Sequence, residues 1–165
     1  MEVGTKINFV YNYFLWETID FELEEYTKEV ANYTLKEIGF FEVVHNPELT
    51  INLANNKQLR LLNKEFLGKD YSTNVLSFPA ASNIEDLTDS YIGDIAISFT
   101  KVRTEATGQG KSLKNHYTHM IVHAILHLVG YDHIDTRDAE IMEAAEVKIL
   151  EKFKISDPYI DYELL

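Results

Sequence analysis

The sequence predicts an α+β domain of about five helices packed on about four short strands. Three observations lead there: alternating apolar runs of strand length, helical windows bounded by capping residues and glycines, and no repeat or linker. Ile7, Phe9 and Tyr11 alternate with Asn8 and Val10, giving a first strand. Asp20 stands where a cap is needed for a helix from about Phe21 to Ile38, with Tyr26, Val30 and Tyr33 on its apolar face and Gly39 as its stop. Leu49, Ile51 and Leu53 alternate with Thr50 and Asn52 in a second strand. Asn55 or Asn56 caps a short helix to Phe66, with Leu59, Leu62 and Phe66 turned inward, and Gly68-Lys69-Asp70 forms a turn. Val75–Phe78 is a strand ended by Pro79, and the small, acidic residues 80–90 form a loop. Ile92–Ser98 is the fourth strand, and Ser98 caps a helix to about Thr107. A strong helix covers Lys114–Val129 and stops at Gly130. The last runs from about Arg137 to Phe153, with Ile141, Ala145, Ile149 and Phe153 on one face.

Composition narrows the chemistry. At 165 residues and 45 % hydrophobic content the chain suits one domain with a real core, residues 1–165 taken together. No stretch is apolar enough to span a membrane, and the N-terminus does not resemble a signal peptide, so a cytoplasmic protein without a membrane partner is expected. There are no cysteines, which removes disulfides and thiolate sites and leaves His and carboxylates as metal ligands. The net charge of −12 opposes nucleic-acid binding overall. Residues 57–114, however, hold eight Lys/Arg against seven Asp/Glu, so a local basic face has room in the middle of the chain.

The chemistry concentrates in His123-Ala-Ile-Leu-His127-Leu-Val-Gly130-Tyr-Asp-His133. Residues i and i+4 of a helix project from one face, so His123 and His127 can meet one ion. Gly130 ends the helix and lets the chain fold back, bringing His133 as a third ligand. Three imidazoles leave a tetrahedral zinc one open position for water, whose pKa falls to roughly 7 in well-tuned sites. The predicted cofactor is one Zn²⁺ per chain, although nickel, copper and iron also accept imidazole. The spacing matches the extended zinc-protease signature except that Ala124 replaces the Glu that acts as general base, which disfavours a peptidase.

Several further residues carry candidate roles. His119 lies one turn before His123 and is placed beside the ligands rather than among them; His116 is farther along the same stripe. Asp94 and Asp132 are candidates to accept a hydrogen bond from a ligand imidazole, with turn stabilisation as the other reading of Asp132. Asn74 and Ser77 either orient the metal helix, contact substrate or satisfy nearby backbone. Lys69 either shapes its turn or contacts substrate.

Leu62-Asn63-Lys64, Gly68-Lys69-Asp70, Thr73 to Pro79, Gly93-Asp94-Ile95 and the histidine motif occur in one order. In these blocks the sequence resembles the YbeY family of metal-dependent endoribonucleases, from about Leu49 to Pro158. The resemblance implies a mixed four-stranded sheet with the metal helix against it and zinc on His123, His127 and His133. It also implies cleavage of single-stranded RNA, maturation of ribosomal RNA at the small-subunit 3′ end, a part in ribosome quality control, and association with the small subunit and its proteins. Two positions depart from the family pattern. Ala124 replaces a Gly, a small change that favours helix. Leu67 replaces an Arg thought to contact phosphate, which Leu cannot do. Arg60 and Lys64 share a helix face with Leu67 and are therefore candidates to supply the missing catalytic cation. The competing readings are a metallohydrolase of peptides or small molecules, and an assembly factor whose metal is structural.

Overall fold

The structure, a computed structural model, describes residues 3–160. Four strands, β1 (Lys6–Tyr11), β2 (Glu48–Ala54), β3 (Val75–Pro79) and β4 (Tyr91–Ser98), form one sheet in the order β1-β2-β4-β3. β1 and β4 run parallel to β2, while β3 is antiparallel to β4, so the sheet is mixed. Five α-helices accompany it: α1 (Leu23–Glu37), α2 (Asn56–Leu67), α3 (Phe99–Gly108), α4 (Leu113–Leu128) and α5 (Thr136–Lys152). This is the α+β architecture the sequence predicts.

Strand alternation separates two cores. Leu49, Ile51 and Leu53 of β2 and Ile95 and Ile97 of β4 point to one face and pack with Val30, Leu35, Tyr117, Ile121, Ile125 and Ile149 from α1, α4 and α5. On the other face a smaller cluster of Ala54, Leu59, Leu76 and Ala96, with Leu62 and Phe78 beside it, lies under α2. The single tryptophan, Trp16, is sealed in the larger core and donates its indole N–H to the Ala54 carbonyl at 2.9 Å.

α4 is buried along nearly its whole length, from His116 to Leu128. That explains its apolar character on every side, which suits a helix enclosed by protein. The Ser112 hydroxyl accepts from the Asn115 N–H at its start. At its end Gly130, at φ +103, lets the Gly130 and Tyr131 amides bond back to the His127 and Leu126 carbonyls. These paired bonds close the helix and reverse the chain. Gly93 has a different task. A β-carbon there would lie 2.4 Å from the Phe78 carbonyl oxygen and 2.8 Å from Leu128 Cδ2. Only glycine lets β3, β4 and the end of α4 come so close.

Three local expectations are corrected. α1 begins at Leu23 with Glu22, not Asp20, before it, and no side-chain cap is made. Phe21 is held in a cluster with Tyr26 and Tyr117, which keeps residues 20–22 outside the helix. Phe66 is 60 % exposed; its ring leans on Phe78 at the rim of the smaller core, 5.4 Å between centroids. Ile141 is 51 % exposed, whereas Ile149 is buried and Ala145 and Phe153 pack against the core as expected; α5 also buries Met142, Glu146 and Leu150. Its inward face is therefore shifted away from Ile141, and it carries a carboxylate.

Candidate metal centre

His123 and His127 leave the last two turns of α4, and His133 returns from the loop after Gly130. One nitrogen from each falls within 4.8 Å of the others. His123 Nε2 and His127 Nε2 are 3.1 Å apart, close to the roughly 3.3 Å expected of two nitrogens on one tetrahedral zinc. No fourth His, Cys, Asp or Glu among the described residues joins this group. Burial, and then the neighbouring His123 and His133, push the His127 pKa below its ordinary value. The neutral ring this favours is the form that binds a metal. Asp132 accepts from the His133 backbone N–H at 2.7 Å, so its observed contact is with the turn and not with an imidazole.

The carboxylate that does hold a ligand imidazole is one the sequence reading missed. Glu146 of α5 is 0 % exposed, the one fully buried carboxylate among the described residues. Its Oε1 accepts from His123 Nδ1 at 2.5 Å. Its Oε2 takes His119 Nε2 at 3.1 Å and the Tyr159 hydroxyl. Burial alone would raise this carboxyl. The hydrogen bonds from His119 and His123, the His123 charge and the Tyr159 hydroxyl outweigh it and hold the pKa at about 2. The available signal was the position of Glu146 within the stripe Met142, Ile149, Leu150, where a solvated charge does not belong. His119 thus reaches His123 through Glu146. Asp94 does not reach the histidines at all: it lies on the sheet face opposite α4, exposed, accepting from the Tyr91 hydroxyl at 2.7 Å.

The three histidines open into a cleft of about 1120 Å³. Its other walls include Leu67, Lys69, Thr73, Asn74, Ser77 and Pro79, the segment 81–85 and the turn 130–134. The Ser77 hydroxyl donates to the Ala124 carbonyl at 2.9 Å, tying β3 to the metal helix between its two ligands. The Asn74 amide donates to Glu105 Oε1 at 3.0 Å, and His116 meets the same oxygen at 3.2 Å from within the core. Leu67 faces the cleft, but its helical neighbours do not follow it. Arg60 turns to Asp70, 2.8 Å away, on a separate depression lined by Asn56, Lys57, Tyr71 and Ser72. Lys64 likewise does not line the cleft. Of α2, the cleft lining includes Leu67 at its C-terminal end, and Arg60 and Lys64 lie off the cleft. Among the described residues the Lys or Arg that lines the cleft is Lys69.

Fold and site together define an α+β protein with a three-histidine metal-binding centre at the base of an open cleft. Comparison with known proteins narrows the class. The family model described as Endoribonuclease YbeY matches residues 12–154. A protein of that name from Pseudomonas syringae pv. syringae is 45 % identical over 127 residues, covering 77 % of this chain and 76 % of its own. Its namesakes from Chromohalobacter salexigens (46 % over 114 residues; 69 % and 73 % covered) and Idiomarina loihiensis (49 % over 112 residues; 68 % of each) are similarly close. The chain belongs to the endoribonuclease YbeY family. The solution structure of TM1509 from Thermotoga maritima shares the fold, with a TM-score of 0.54 at 21 % identity over 95 % of this chain and 99 % of that one.

Proposed function

We propose that this protein is a zinc-dependent endoribonuclease that cleaves single-stranded RNA and acts in ribosomal RNA maturation, at the small-subunit 3′ end, and in ribosome quality control. The observation that carries the reading is the convergence of His123, His127 and His133 on one point open to a wide cleft, in a chain of this family. The donor set is all imidazole, which suits zinc. Bound there, the ion would supply a Lewis acid for a phosphoryl oxygen and lower the pKa of a water. The chain's own residues do the rest. Lys69 offers the cleft a positive charge for phosphate. Asn74 lines the cleft with its amide held by Glu105 and the Val75 N–H, which braces that wall, and Ser77 keeps β3 in register with the ligand-bearing turns. An open cleft admits a flexible single strand more readily than a stiff duplex.

The proposed partners are ribosomal RNA and the small subunit with its proteins, in the cytoplasm. No helix among the described residues is long and apolar enough to cross a membrane. Elemental analysis paired with cleavage of unstructured RNA tests the reading. Wild type is expected to carry one zinc per chain and cleave, whereas His127→Ala loses the metal and at least about a hundredfold of activity. Equal cleavage by both would remove the enzymatic reading. Product ends identify the nucleophile: a 2′,3′-cyclic phosphate marks the RNA 2′-hydroxyl and a 5′-phosphate marks water.

A further inference from the structure

The rear of the metal site is as ordered as its front. His123 uses its two ring nitrogens in opposite directions, Nε2 towards His127 and Nδ1 into the protein against Glu146. An ionised carboxylate can only accept, so the bond requires a proton on Nδ1, and in the neutral ring this leaves the Nε2 lone pair free. Oε1 serves His123, while Oε2 is taken by His119 and Tyr159. The carboxylate therefore cannot rotate without breaking a second set of contacts. These partners come from two places, α4 and the segment that follows α5, so the carboxylate on α5 joins three parts of the chain.

We propose that Glu146 is the positioning residue of the metal site, fixing the tautomer and direction of His123, with His119 and Tyr159 holding the carboxylate in place. The inference rests on the reading that the three histidines bind a metal. A histidine with no acceptor behind it divides its population between two tautomers and several ring orientations, only one of which can ligate. Locking the ring removes that penalty before the ion arrives, and losing such a partner typically costs about 10- to 100-fold in metal affinity.

Two measurements test this on the full-length chain. In metal-free wild type, imidazole ¹⁵N chemical shifts are expected to place the His123 proton on Nδ1. A proton on Nε2 would overturn the proposal without reference to any variant. Zinc titration against a competing chelator then compares wild type with Glu146→Gln and Tyr159→Phe. A buried glutamine keeps one acceptor oxygen for donors that used two, so Glu146→Gln is expected to weaken zinc binding by about 10- to 100-fold. Tyr159→Phe leaves the His123 bond intact and is expected to stay within about threefold. Folded Glu146→Gln with wild-type affinity and the same His123 tautomer would sink the inference. Wild type that takes up no zinc would instead sink the metal reading, while the His123 tautomer would still report on Glu146.

Discussion

The two walls of the cleft are built differently. The wall bearing the histidines is the enclosed helix α4, backed by the larger core and tied to β3 through Ser77. The facing wall is the end of α2 and the turns after it, resting on a cluster of only four buried side chains and leaving Leu61, Phe66, Leu67 and Tyr71 exposed. The contrast teaches where precision is needed. A metal demands ligands held to within about half an ångström, which a packed helix supplies; a polymer with many conformations is met by a wall that can adjust.

Three experiments would break or sharpen this contrast. The largest effect is expected from Gly93→Ala, which attacks the junction of the rigid wall. The added β-carbon meets the Phe78 carbonyl oxygen at 2.4 Å on a backbone of positive φ, so a loss of about 2–4 kcal/mol is expected in denaturant unfolding. A neutral result would mean that α4, β3 and β4 are not locked together there.

Next in size is the acid response of the metal-free protein. His127 and Glu146 are both lowered from their ordinary values of 6.5 and 4.5, by the causes given above. The unfolded chain therefore binds more protons than the native one, and stability is present above each unfolded value and lost as pH falls below it. Thermal melts are expected to drop from pH 6.5 downward and to fall again between pH 4.5 and about 2. Melts that stay level from pH 7 to 3 would show that neither group is tuned by the fold.

The smallest effect belongs to the adjustable wall. Lys69→Ala is expected to weaken single-stranded RNA binding by about three- to tenfold and to reduce the salt slope by about 0.7. Arg60→Ala, whose charge is engaged by Asp70 outside the cleft, is expected to stay within about twofold. Equal losses in the two variants would mean that RNA crosses α2 as well as the cleft.

What was legible in the sequence was local. The i, i+4 histidines and the Gly130 reversal lie within eleven residues, and their geometry follows from helix pitch and one turn. The Asn55 and Ser98 caps were equally readable, because each side chain bonds an amide three residues on. The failures share a cause: they depend on what another element brings. Glu146 looks like a surface carboxylate until α4 supplies His119 and His123. Ile141 fits the spacing of Ala145, Ile149 and Phe153, yet the way α5 meets α4 leaves it outside. Arg60 and Lys64 share a helix face with Leu67, but the direction in which α2 meets the cleft is set by the sheet, and Asp70 claims Arg60 from a turn ten residues later.

Trp16 carries a practical consequence. It is the chain's one indole, 1 % exposed, with Phe99 and Tyr117 at ring-centroid distances of 5.1 and 5.6 Å. It lines no part of the histidine cleft. Its fluorescence therefore senses the integrity of the β2–α4 interior while being blind to events among the imidazoles. Unfolding can be followed by intrinsic emission with no label attached, while zinc binding is read separately through the competing chelator.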